Sequence, residues 1–125
     1  MARILVVEDD AHILRLLSIW LNRNGHQVVE AGDGLQAKEE LLRARFDLVV
    51  SDVNMPGLDG ISLVRWLRAE HQSEVPVILL SSRSDQSAIA AELGSLGVRV
   101  QPKPFSPSRL MGEIDRELAS HAGAV

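Results

Sequence analysis

Residues 46–60 read FDLVVSDVNMPGLDG. The run from Phe46 to Ser51 has the β-branched, apolar composition of a strand covered on both faces, yet it leads onto an acid, Asp52, and drops at once into Met55-Pro56-Gly57. Proline followed by glycine fixes one φ and frees the next, as a type II turn demands. Asp59 then stands where a helix N-cap belongs, ahead of Ile61, Leu63, Val64 and Leu67 at helical spacing. The stretch predicts strand, turn and helix, with a carboxylate at the strand's carboxyl end.

The same unit recurs in both directions. Upstream, Ile4–Val7 predicts a strand, and Ile13, Leu16, Leu17, Trp20 and Leu21 predict a helix that Asn24-Gly25 stops. His26–Ala31 reads as the second strand; Leu35, Ala37, Leu41 and Leu42 mark the second helix, with Asp33 placed to cap it. Downstream, Val77–Ser81 is the fourth strand, and Ile89, Ala90 and Leu93 give a helix ending near Gly97. Val98–Gln101 is a weaker fifth strand that Pro102, lacking a ladder donor, should end by Gln101. Leu110, Ile114 and Leu118 give the last amphipathic helix. Strands alternating with helices imply a doubly wound α/β domain, a parallel sheet with five strands and five helices. Its span should be residues 1–120, with the small, weakly patterned segment from Ala119 fraying into a tail or linker start at 121–125.

Composition narrows the chemistry. At 125 residues and 46% hydrophobic content the chain makes one domain with a real core. It has no cysteine, which excludes disulfides, thiolate nucleophiles and cysteine-ligated zinc and fits a reducing cytoplasm. The first apolar stretch is too short for a signal peptide or a membrane span, so a soluble protein is expected. A net charge of −4 with scattered basic residues argues against a nucleic-acid surface. His12, His26, His71 and His121 lack metal-ligand spacing and read as surface or packing residues. Trp20 reads as core, whereas Ile19 falls outside the main apolar face.

In open α/β sheets the working groups gather beyond the carboxyl ends of the strands. Here those ends carry Glu8-Asp9-Asp10, Asp52, Ser81-Ser82 and Lys103-Pro104. Neighbouring strands lie about 4.8 Å apart, so strand order decides whether these groups meet. A 3-2-1-4-5 order would put the second strand between Asp52 and the Glu8-Asp9 pair; the flavodoxin-like order 2-1-3-4-5 sets all of them on one rim and is the one expected. No G-x-G-x-x-G follows the first strand, and acids stand where a phosphate-cradling loop would be. Glu8, Asp9 and Asp52 held together repel unless a proton or a hard cation such as Mg²⁺ intervenes. Lys103 and the Ser81 hydroxyl suit phosphoryl oxygens. Glu8 and Asp9 sit side by side as a ligand pair, which leaves Asp52 as a candidate nucleophile able to form an aspartyl-phosphate. Asp10 reads as an N-cap.

The segments ILVVEDD (4–10), DLVVSDVNMPGLDG (47–60), PVILLSS (76–82) and KPF (103–105) resemble, in order and spacing, the receiver domains of two-component response regulators, the chemotaxis receiver among them. The resemblance covers essentially the whole chain. It implies a cytoplasmic phosphorelay domain that takes a phosphoryl group from a sensor histidine kinase or a histidine phosphotransfer protein onto Asp52. Mg²⁺ would be held by Asp52, by Asp9 directly, by Glu8 through water and by the Asn54 carbonyl, while Ser81 and Lys103 contact the phosphoryl group and the Lys103-Pro104 bond is cis. Such a domain is no enzyme: it catalyses only its own phosphorylation and slow dephosphorylation. It would signal to an output domain or protein, as a monomer or a weak phosphorylation-dependent dimer, without binding DNA or a membrane itself.

Departures and rivals are equally concrete. Many receivers carry a tyrosine or phenylalanine three residues before the lysine; here Val100 stands there, and the chain has no tyrosine. Arg83 lies where the family tunes loss of the phosphoryl group. A degenerate receiver would serve as a docking module without phosphorylation. A small Mg²⁺-dependent phosphatase with an Asp nucleophile would want a second acid where this chain has Asn54, and a flavin carrier would meet repulsion from the acidic first loop.

Overall fold

The computed structural model describes residues 2–81, 86–103 and 106–123. Ser82, Arg83, Ser84 and the Lys103-Pro104 peptide bond, on which the sequence also bears, lie outside the described residues.

Five parallel strands, β1 (Arg3–Val7), β2 (Gln27–Ala31), β3 (Leu48–Asp52), β4 (Val77–Ser81) and β5 (Val98–Pro102), are ordered β2-β1-β3-β4-β5. The helices are α1 (Ala11–Arg23), α2 (Gly34–Arg43), α3 (Gly60–Ala69), α4 (Gln86–Leu93) and α5 (Pro107–Gly123), with a 3₁₀ turn at Gly94–Leu96. This is the flavodoxin-like doubly wound fold, and its order leaves β1, β3, β4 and β5 consecutive.

Alternation along the strands divides the core. Leu5, Val7, Val49, Val77 and Leu79 face a cluster with Ala37, Leu41, Leu63, Leu67, Ile89 and Leu93, under α2, α3 and α4. Their neighbours Ile4, Val6, Leu48, Val50, Ile78 and Leu80 face Leu17, Leu21, Leu110 and Ile114 of α1 and α5. Both faces of β3 and β4 are therefore dry, which is why those strands read as continuous apolar runs. Each fully buried Leu or Ile contributes about 2 kcal/mol on leaving water.

Helix starts follow the capping expectations. Asp10 accepts from His12 N and Ile13 N, Asp33 from Gln36 N, and Asp59 from Ser62 N at 2.7 Å. Trp20 is half-buried, packing against the second cluster rather than within it, and Ile19 is exposed. His26 and His71 have packing roles: His26 Nδ1 accepts from Ala2 N, and the His71 ring stacks on Trp66.

Some boundaries move. β2 begins at Gln27, since His26 is taken up by its bond to Ala2. β3 runs from Leu48 to Asp52, two residues later than expected at its start and one at its end. Phe46 and Asp47 are engaged with Arg3 instead, the guanidinium lying over the Phe46 ring and the Asp47 carboxylate accepting Arg3 N. β5 continues through Pro102: Lys103 N donates to Ser81 O at 2.8 Å, so the position before it points its missing donor at the open edge of the sheet, where proline loses no bond. Leu35 and Leu42 are exposed, and α2 buries Gly34, Ala37 and Leu41 instead. α5 runs on past Ala119 to Gly123.

Candidate functional site

Three chain segments bring charged groups to the carboxyl rim. Glu8 follows β1 and is tied to β2 by its N–H, which donates to Ala31 O at 3.0 Å. Asp9 is the next residue, exposed at the rim. Asp52 is the last residue of β3, and Lys103 follows β5. The chain thus delivers its charged groups where the dry part of the sheet ends, so they are close together and only partly hydrated.

The Lys103 Nζ lies 3.1 Å from both carboxylate oxygens of Glu8 and 3.3 Å from Asp52 Oδ2. Glu8 is 1% exposed, Asp52 6%, and the Lys103 side chain 15%. Ligand oxygens of Glu8, Asp9 and Asp52 lie within 4.8 Å of one another. Two carboxylates share one ammonium and a third, on exposed Asp9, lies beside them, which leaves negative charge uncompensated at the rim.

Burial pushes the Glu8 carboxyl above its usual range, and the neighbouring Asp52 charge pushes the same way; the bonds from Lys103 and Asp10 N pull back without winning. Burial alone would lower the Lys103 ammonium, but its bond to Glu8 and the charges of Glu8 and Asp52 together raise it. One ion pair thus holds its lysine charged without settling its glutamate. Lysine sees two carboxylates, whereas Glu8 sees one ammonium, one repelling acid and almost no water. A divalent cation would supply the missing charge, and the oxygen-only set of Glu8, Asp9 and Asp52 fits a hard ion such as Mg²⁺.

Of the other residues read from the sequence, Ser81 is fully buried at the end of β4, its carbonyl tied to Lys103 N. Asn54 lines an open hollow of about 390 Å³ with Asp9, Met55, Pro56 and Asp59 beside the carboxylates. Gly57 takes φ 77°, the conformation a type II turn requires. The sequence reading passes over two residues that border the site, Gly34 and Gly60, both pressed against the backbone around Asp52–Leu58. Their signal was there to read: each follows a capping aspartate and opens a helix, where glycine is a poor helix former.

A family model described as the response regulator receiver domain matches residues 4–115. The DNA-binding response regulator MtrA of Mycobacterium tuberculosis is 37% identical over 116 residues, covering 93% of this chain and 50% of that protein. The transcriptional regulatory protein GltR of Pseudomonas aeruginosa is 38% identical over 117 residues, covering 89% of this chain and 46% of that one. The chain spans about half the length of these relatives. Among solved structures, the receiver domain of the Francisella response regulator 1452 superposes with a TM-score of 0.89 at 30% identity, covering 97% of this chain and 99% of that one. The chemotaxis response regulator CheY4 of Vibrio cholerae does so with 0.84 at 32% identity, covering 94% and 98%. With the family model matching nearly the whole length and relatives agreeing in sequence and in fold, this chain belongs to the response regulator receiver domains.

Proposed function

We propose that this receiver is an active phosphoacceptor: Asp52 takes a phosphoryl group from the phosphohistidine of a sensor histidine kinase or histidine phosphotransfer protein, and the phosphorylated form alters binding to an output domain or partner. The observation that carries the reading is the Lys103 ammonium set between Glu8 and Asp52, with Asp9 completing an acidic cluster on the same rim. A docking module without chemistry has no need of a half-buried lysine held between two buried acids.

Lys103 engages Asp52 Oδ2, so Oδ1 carries the attack. The new O–P bond forms as the N–P bond breaks, and the electron pair stays on the imidazole nitrogen of the donor. Asp52, ending a buried strand, is held in place for the in-line approach. Lys103 and the Ser81 hydroxyl take phosphoryl oxygens. Asp9, Asp52 and the Asn54 carbonyl would hold Mg²⁺, with Glu8 acting through water; the bound ion would neutralise charge on the transferring group. Attack of water on phosphorus later breaks the P–O bond, releasing phosphate and restoring Asp52. The domain turns over nothing else. Among the described residues no helix is long and apolar enough to cross a membrane.

Incubation with a small acyl-phosphate donor and Mg²⁺ should add one acid-stable, hydroxylamine-labile phosphoryl group. Asp52→Asn or chelation of the metal should abolish uptake. A label mapped to Ser81, Ser82 or a histidine overturns the mechanism.

A further inference from the structure

The segment between Asp52 and α3 is a loop closed at its foot. Gly60 N donates to Val53 O at 2.9 Å, and Val53 N donates to Leu80 O at 3.0 Å, so both ends of the loop are pinned to the sheet. Gly60 sits so close that a Cβ there would lie 2.4 Å from Asp52 O and 3.1 Å from Val53 Cα. On its far side the loop leans on another helix: a Cβ at Gly34, the first residue of α2, would lie 2.2 Å from Leu58 O and 2.8 Å from Leu58 Cβ. The closest obstacle in each case is a backbone oxygen, which no rotamer change can move aside.

The stop provided by α2 is itself fixed. Asp33 accepts from Gln36 N at 2.9 Å, Gln36 Oε1 accepts from Gly32 N at 2.9 Å, and Ala31 O accepts from Glu8 N at 3.0 Å. The contact between Gly34 and Leu58 therefore joins the strand end that bears Glu8 and Asp9 to the loop that bears Asn54. Those are the two halves of the acidic site. By helix propensity alone, alanine would serve the first turn of α2 better than glycine.

We infer that Gly34 is a positioning residue of the phosphoacceptor site, setting through Leu58 the separation between the Glu8-Asp9 side and the Asn54 loop and thereby the affinity for Mg²⁺. Gly60 does the same for the foot of the loop against Asp52. The inference rests on the phosphoacceptor reading above.

The test is Mg²⁺ affinity, followed by amide shifts in the wild type and in Gly34→Ala, Gly60→Ala and Gly112→Ala. A Cβ at Gly112, in α5, would meet nothing within 4 Å, so that variant isolates the general effect of replacing glycine. Gly34→Ala and Gly60→Ala should bind Mg²⁺ about tenfold or more weakly, the loss typical of residues that orient metal ligands, while Gly112→Ala binds as the wild type does. A folded Gly34→Ala with wild-type affinity overturns the positioning role alone. A wild type that binds no Mg²⁺ overturns this role and the phosphoacceptor reading together. Should Gly34→Ala not fold, the wild-type titration decides: the Gly34 and Leu58 amides should shift with the same midpoint as those of Asp9 and Asn54, and amides that stay still overturn the inference.

Discussion

At the amino ends of the strands a hollow of about 740 Å³ opens between residues 41–46 and 71–75; at the carboxyl ends there is a smaller one of about 390 Å³. The ion pair beside the larger space is a solvated one. Arg43 there pairs with Glu40 at 3.1 Å, but its side chain is 71% exposed, and Arg3 rests on the Phe46 ring. At the other end Glu8, Asp52 and Lys103 are almost dry and their charges do not balance. What sets the carboxyl end apart is buried, unbalanced carboxylate charge rather than volume, the mark of a candidate site.

Truncating one partner of each ion pair should break or sharpen that comparison most strongly. Lys103→Met leaves Glu8 and Asp52 facing one another without a cation and should cost about 3 kcal/mol of stability at neutral pH in the absence of metal. Arg43→Met removes an exposed partner and should stay within about 0.5 kcal/mol. Urea unfolding of the two variants, each against the wild type, measures both. Equal losses would mean that burial does not distinguish the two ends.

A smaller effect follows from the raised Glu8 carboxyl. Its folded-state value lies above the unfolded value of 4.5, so the folded protein binds that proton more tightly than the unfolded chain does. The stability it contributes is complete below pH 4.5 and drains away as pH rises through the folded value. Lys103, raised from 10.5, contributes stability that is complete below that pH and is lost only above it, outside the Glu8 window. The metal-free domain should therefore lose stability from pH 4.5 toward neutrality relative to Glu8→Gln, and Mg²⁺ should restore it. Thermal melts of the two proteins across that range, with and without Mg²⁺, give the difference. A difference independent of pH would show that Glu8 keeps an ordinary proton affinity.

The layout of the sheet was legible because hydrophobic alternation and capping are local: Asp10, Asp33 and Asp59 each cap the helix that follows them. Strand order was legible only indirectly, from the need to bring Asp52 to Glu8 and Asp9. The β3 start was not, because Phe46 has strand composition and its diversion to Arg3 depends on a residue 43 positions away. Leu35 and Leu42 show the same limit: they fit a helical pattern, and only the packing of α2 shows that the buried stripe runs through Gly34, Ala37 and Leu41. The glycines beside the site are the clearest case, since a missing Cβ leaves no chemical mark and its meaning lies in the backbone opposite.

The smallest expected effect concerns how phosphorylation is transmitted. Val100 is half-buried, lies opposite Leu79 in the ladder and packs against the cluster beneath α2, α3 and α4. A switch can be driven only by interactions that differ between its two states. An aromatic side chain exchanging an exposed for a buried position would supply a packing difference of about 1 kcal/mol or more, and valine has too little area to do so. The far end of α4 is also held: Arg65 pairs with Glu92, and Arg68 Nε donates to Leu96 O at 2.7 Å, tying α3 to the 3₁₀ turn. Movement on phosphorylation should then concentrate where Ser81 leads toward the start of α4 and fade along β5 and α5. Amide shifts with and without beryllofluoride, a stable phosphoryl mimic, measure this directly. The larger changes should fall at Ser81 and Gln86–Ile89, the smaller along Val98–Gln101. Val100→Tyr should enlarge the β5 response. The opposite ranking in the wild type, with β5 and α5 shifting most, would mean that this receiver signals through β5 without an aromatic lever.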